Sequence, residues 1–220
     1  MAATVTKHVP VAHGFKGFPR EAFRFFSDLA RNNNRDWFQP RKEVYESTCQ
    51  EPLKALTVAL DPPFGADRVS RIYRDIRFSK DKSPYKTHVS ARVPGCVLWL
   101  SAEGLYVGTG LYMPDPPTLR RLREAIDRDV SGKALADLIK TLRKKGYAVD
   151  THEKVESVPR GYAADHPRLD LLRMKDIHAG RTLGPTELAT AAAVTKVRKV
   201  CDDVAPLREW LMKHVGAKNC

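Results

Sequence analysis

Three short runs within residues 87–112 constrain the fold most. Thr87, Val89, Ala91 and Val93 alternate with other residues, Pro94-Gly95 turns the chain, and residues 97–100 form a compact apolar run. Glu103-Gly104 turns it again, and residues 105–112 continue as an apolar run interrupted by glycines. Side chains two apart share one face of a strand, so each run reads as a strand. Connections this short admit only hairpins, which makes the pairing antiparallel. Residues 70–78 show the same alternation, with Arg71, Tyr73, Asp75 and Arg77 on one side and Ile72, Arg74, Ile76 and Phe78 on the other. The four runs together predict an antiparallel four-stranded meander with one apolar face. That face must be covered, and helices on both sides of the meander can cover it, which gives an α+β fold.

The helices are legible from apolar spacing. Phe18-Pro19 marks a start, and Phe23, Phe26 and Ala30 follow on one stripe, widened by Phe25 and Leu29. Asn32, Asn33 and Asn34 break the pattern, and Asn34 or Asp36 caps a second helix carrying Trp37, Val44, Tyr45, Leu53, Leu56 and Leu60. Pro52 is expected to kink or divide it, and Asp61-Pro62-Pro63 to end it. After the meander, helices are predicted over 119–128 and 133–144, with Ser131 as a cap between them. A strand is expected near 147–149, an alanine-rich helix over 186–200 and a last amphipathic helix over 206–215. The run 147–183 is otherwise irregular. No repeat or linker divides the chain, so the expectation is a lead-in over 1–17, one domain over 18–215 and a short tail over 216–220.

The formal net charge of +12 favours anionic partners such as nucleic acid or phosphorylated metabolites, although charge alone does not separate a binding face from a dispersed surface. Cys49, Cys96, Cys201 and Cys220 are far apart, with no Cys-x-x-Cys pair and no zinc-ligand spacing. No second histidine stands at metal spacing, and no metal site is expected. No signal-like core opens the chain and no apolar run approaches a membrane span, so a reduced, cytoplasmic protein is expected. Gly108-x-Gly110 is followed by Pro114 and not by a glycine-opened helix, so it is no dinucleotide fingerprint, and no motif identifies a cofactor. Oligomeric state is not legible.

The most chemically loaded stretch is 71–86, which reads RIYRDIRFSKDKSPYK and carries six basic against two acidic groups. Converging cations repel unless an anion sits between them, and the guanidinium fork matches carboxylate or phosphate. Arg71, Arg77, Lys80, Lys82 and Lys86 are therefore candidates to hold an anion, Tyr73 and Tyr85 to contact its organic part, and Asp75 to orient the arginines or act as a base. Arg74, on the apolar side, is assigned to structure with a carboxylate partner. Asn33 and Asn34 are candidates to line a cleft; Trp37 and Phe38 read more simply as core aromatics. His166 is a candidate general acid or base, with a hydrogen-bonding strut as the simpler role.

The segments FFSDLARNNNRDWF, RIYRDIRFSKDKSPYKTH, GLYVGTGLYMPDPPTLRRLREAI and PRGYAADHPRLDLL together resemble the family known as domain of unknown function 2461, from about Phe18 to Trp210. The resemblance implies one compact domain and supplies no activity, ligand or catalytic residue. The family tends to carry more glycine than Val107-Gly108-Thr109-Gly110 shows.

Three readings of 71–86 compete. A site for a small phosphate- or carboxylate-bearing ligand requires a concave pocket. A nucleic-acid-binding module requires a contiguous basic stripe and steeply salt-dependent binding. A structural protein requires that the arginines find carboxylate partners within the chain.

Overall fold

The structure is a computed structural model and describes residues 14–60, 69–77 and 79–217. Helix α1 spans Arg20–Arg31 and buries Ala22, Phe23, Phe25, Phe26 and Leu29. The next helical stretch is interrupted: α2 (Arg35–Phe38), a 3-10 turn (Gln39–Arg41), α3 (Lys42–Tyr45), a π-turn (Glu46–Gln50) and α4 (Glu51–Leu60) run end to end. Asn34 caps α2, its side chain accepting from Trp37 N at 2.9 Å, as the sequence predicts. Pro52 brings no N–H for the carbonyl four residues earlier, and the widened π-turn lies directly before it. The expected stop at Asp61-Pro62-Pro63 lies outside the described residues.

The sheet has five strands, β1 (His88–Val93), β2 (Cys96–Ser101), β3 (Gly104–Leu111), β4 (Ala148–Asp150) and β5 (Ile177–Leu183), in the order β1-β2-β3-β5-β4. Every pairing is antiparallel. The protein is α+β as expected, and the β1-β2-β3 hairpins form the predicted meander. The fourth strand differs: the described part of that run, residues 70–77, forms no strand of the sheet. Val69 bridges Ala91 on the β1 edge, then the chain leaves the sheet and folds back on itself, with Tyr73 bridging Tyr85. Alternation alone does not make a strand where four charged side chains in seven positions favour water over a second neighbour. The remaining strands come from the irregular stretch 147–183. β5 escapes notice because its interior is His178-Ala179-Gly180-Arg181, poor in β-branched residues.

Helices α5 (Pro116–Asp127) and α6 (Asp129–Lys144) follow the meander, and α7 (Leu169–Leu172) is a single turn. Ser131 does not cap α6. It lies inside the helix, buried, donating its hydroxyl to Ala125 O at 2.6 Å. The two predicted C-terminal helices are one, α8 (Ala193–Val215), with Pro206 inside it and residues 186–192 in turns.

α8 packs on β3 and β5, α1 on β2, α4 on β1 and α6 on β4. These helices cover one sheet face, where Val89, Ala91, Leu98, Leu100, Leu105, Val107, Val149, Ile177, Ala179 and Leu183 are buried. Phe15 and Phe18 join that core with an edge contact of 5.4 Å between ring centroids, so the core reaches into the expected lead-in. Trp210 Nε1 donates to Ser131 O and Arg121 Nε to Val215 O, tying α8 to α6 and α5. No described helix is long and apolar enough to cross a membrane.

Candidate functional site

The opposite sheet face, carrying His88, Ser90, Arg92, Val97, Trp99, Ser101, Tyr106 and Thr182, bounds a cleft of about 560 Å³. The cleft continues past β3 to Tyr112, His152 and His178. In register, Ser90 lies beside Trp99, Trp99 beside Tyr106 and Tyr106 beside Thr182. The same row order places Arg92, Val97, Gly108 and Gly180 one step along. Gly108 and Gly180 are where a Cβ is excluded. On either, it would stand 2.4 or 2.6 Å from Tyr106 Oη, so the paired glycines form the trough in which the tyrosine ring lies. Burial pushes the Tyr106 hydroxyl up to about 12, so the phenol stays neutral and available as a donor at ordinary pH.

One end of the cleft is aromatic and basic. His88 stacks on Trp99 with ring centroids 5.3 Å apart, and Trp99 leans on Tyr106 at 6.2 Å. Trp99 remains 39% exposed, a large flat surface open to a ligand. Burial, then Lys86, then Arg74 hold His88 below the ordinary imidazole value, so the positive field of the 71–86 segment reaches this end. Arg92 is the one arginine or lysine among the described residues lining the cleft, and it also borders an adjoining cavity of about 420 Å³ with Tyr112, Asp115 and Thr118. At the far end, His178 is held below the ordinary value by burial and by His152. His178 Nδ1 is buried there without a hydrogen-bond partner.

The predicted site residues are not gathered in this cleft. Arg71, Tyr73, Asp75, Arg77, Lys80, Lys82 and Lys86 line neither cavity. Much of their charge is satisfied locally. Asp75 receives a fork from Arg77, Nε at 2.9 Å and Nη2 at 2.7 Å, which lowers the carboxyl and raises the guanidinium. Arg74 pairs with Asp81, as its assignment to structure anticipates, but it is only partly buried and not sealed on an apolar face. Asp81 also accepts from Ser83 N and Oγ, and this pair of bonds is the main reason its carboxyl sits far below the usual range. Lys82 and Lys86 reach the carbonyls of Ile76 and Arg71. Arg71, Tyr73 and Lys80 are exposed on the segment's surface.

Tyr85 belongs to the core. It is 2% exposed and stacks on Phe38 with ring centroids 4.0 Å apart. Asn33 explains why the segment folds there: its amide donates to Tyr85 O at 2.9 Å and accepts from Tyr85 N at 3.1 Å. The side chain thus occupies both backbone groups that a neighbouring strand would use. Asn33→Ala is expected to cost about 2 kcal/mol, from two lost bonds and partly buried groups left unpaired, measured by urea denaturation. A loss under about 0.5 kcal/mol would show that water replaces the clamp.

His166 is a strut. Its Nδ1 accepts from Arg168 N at 3.0 Å, which leaves the proton on Nε2, 3.2 Å from Asp127 Oδ1. It lines neither cavity.

Sequence reasoning missed the cleft's own residues, above all His152 and His178, and the buried Asp176 beside them, whose ligand-type atoms lie within 4.8 Å of one another. The available signal was Asp176-x-His178, two metal-ligating types at strand spacing. It went unused because the stretch did not read as a strand.

The family of conserved hypothetical proteins DUF2461 matches residues 21–210. The chain belongs to that family. Comparison with curated proteins and with solved structures gives no match. The DUF2461 match spans α1 through most of α8, so sheet, covering helices and cleft all lie within it.

Proposed function

We propose that this DUF2461 chain binds a small organic anion with a planar ring in the cleft on the open sheet face. The carrying observation is the convergence in one cavity of about 560 Å³ of an exposed tryptophan, two tyrosines and a single arginine. That volume falls in the range of small-molecule sites, roughly 300–1,000 Å³. The ring stacks on Trp99, and the carboxylate or phosphate meets Arg92 in the fork geometry guanidinium favours. Tyr106, neutral and anchored over Gly108 and Gly180, donates to the ligand's polar edge. The basic segment 71–86 has a supporting part: it raises the potential at the His88 end and speeds entry of an anion.

The test is a thermal-shift panel of nucleoside monophosphates, sugar phosphates, aromatic carboxylates and short oligonucleotides at low and moderate salt. A planar anion is expected to raise the melting temperature at both salts. Arg92→Ala is expected to weaken its binding at least about tenfold, the loss of one charged hydrogen-bonded contact, with the unliganded melting temperature unchanged. Stabilisation confined to oligonucleotides and abolished by salt would replace this reading with the nucleic-acid one. A silent panel would remove it.

A further inference from the structure

We propose that His152, Asp176 and His178 form a binding site for a divalent first-row transition-metal ion at the Tyr112 end of the cleft. Asp176 directly precedes β5 and His178 is its second residue, so the two are spaced to share one side of the chain. Asp150 pairs with His178 at the end of β4, and two residues later the chain brings His152 alongside. The rings of His152 and His178 stand 4.4 Å apart between centroids, and Tyr112 closes the group with an edge contact on His152 at 4.7 Å.

The donor geometry fits an ion. His152 Nδ1 lies 3.3 Å and His178 Nδ1 3.9 Å from Asp176 Oδ1. Ligand atoms ~2.1 Å from one ion stand ~3.0–3.4 Å apart, so His152 and Asp176 already stand at ligand spacing, and the group, whose atoms lie within 4.8 Å of one another, has to draw together to close on an ion. Two independent features point the same way. Asp176 is a carboxylate with a side chain 3% exposed, and among the described residues no lysine or arginine pairs with it. Buried charges of this kind are paired or coordinate metals. His178 Nδ1 is buried with no hydrogen-bond partner, a vacant lone pair or an idle proton beside that carboxylate. An outer layer holds the carboxylate in place: His152 N donates to Asp176 Oδ1 at 2.8 Å, and the Thr151 hydroxyl lies 3.0 Å from the same oxygen.

Two imidazoles and one carboxylate suit Zn²⁺, Fe²⁺ or Mn²⁺, and three protein ligands leave coordination positions open, the pattern of reactive and not of structural sites. Because His152 and His178 line the cleft, the open positions face its interior. There the ion gives an anionic ligand a second positive anchor in addition to Arg92. That role rests on the proposed cleft function; the metal binding itself does not.

The experiment titrates the full chain, stripped with chelator, with Co²⁺ and then Zn²⁺, following visible absorption and heat. One Co²⁺ per chain is expected, displaced by Zn²⁺. His152→Ala and His178→Ala should each weaken binding at least about tenfold, and His214→Ala, remote in the chain on α8, should not. On the unmutated protein, Co²⁺ should broaden the amide signals of residues 150–152 and 176–178 first. Absence of stoichiometric binding, binding unchanged in both variants, or broadening centred elsewhere would overturn the site. Stabilisation by a planar anion that persists in chelator and depends on Arg92 would retain the cleft function while this site falls.

Discussion

Arg168→Ala is expected to lower the unfolding free energy by about 2–4 kcal/mol, from helix-end carbonyls left without their donor and the lost packing of a buried side chain. Arg168 is 8% exposed and lies in the PRGYAADHPRLDLL stretch that helps to mark the family. Its Nε donates to Ile126 O and its Nη2 to Asp127 O, both at 2.8 Å, with Asp129 Oδ1 at 3.2 Å. The guanidinium therefore closes the last carbonyls of α5, where a helix end needs both donors and positive charge, and it reaches the first residue of α6. Gly132 completes the joint, since a Cβ there would stand 2.5 Å from Arg168 Nε and 2.0 Å from Ile126 O. Without the arginine, the carbonyls of Ile126 and Asp127 lose this donor together, while the exposed Asp129 carboxylate keeps Lys133. Urea denaturation should show the midpoint falling with an unchanged slope. Arg168→Lys should recover less than half of the loss, because an ammonium cannot span three acceptors. A loss under about 1 kcal/mol would show that the helix junction holds without this residue.

Phe38→Ala is expected to cost about 3–5 kcal/mol, the range for a fully buried aromatic cut to alanine. Phe38 is fully buried and sits among Phe25 at 6.1 Å, Tyr45 at 5.9 Å and Tyr85 at 4.0 Å between centroids. Tyr85 carries the returning arm of the charged segment, so the damage should spread. Amide exchange should accelerate at Arg74 and Lys86, whose N–H groups bond Pro84 O and Ile72 O across the fold-back. Phe38→Leu should lose no more than about 1.5 kcal/mol, since it refills most of the space. Rapid exchange confined to α2 would show that the segment holds its shape without the Phe38–Tyr85 stack.

The strands and helices that alternate cleanly were legible because their periodicity is local. Val89-x-Ala91-x-Val93 and the apolar stripe of α1 declare one face each, and Asn34 caps where a cap was expected. Residues 70–78 misled because alternation reports which faces differ, not whether a neighbouring strand exists; the decisive partner is Asn33, far back in the chain. β5 was hidden for the opposite reason. Gly180 is there to make room for Tyr106, a requirement that arises only when β3 and β5 pair. The same holds for function. Charge density drew attention to 71–86, yet several of its charges are spent on one another, as in Asp75–Arg77 and Arg74–Asp81. The cleft assembles single residues from β1, β2, β3, β5 and the turn after β4, and no stretch of sequence displays them together. Asn33, Tyr85 and His166 are each engaged with other parts of the chain, Asn33 with the backbone of Tyr85, Tyr85 with Phe38, and His166 with Arg168 and Asp127.

Whether the open sheet face or the 71–86 segment receives the ligand is directly observable in solution. Nuclear magnetic resonance on ¹⁵N-labelled protein, titrated with a nucleoside monophosphate and with an aromatic carboxylate, tests it most directly. With the ligand on the open sheet face, saturable shifts are expected at the Trp99 indole N–H and at the amides of Arg92, Gly110 and Thr182, with little change at Lys80 and Lys82. Shifts concentrated at Lys80 and Lys82, with the Trp99 indole signal unmoved, would contradict it and return the site to the charged segment.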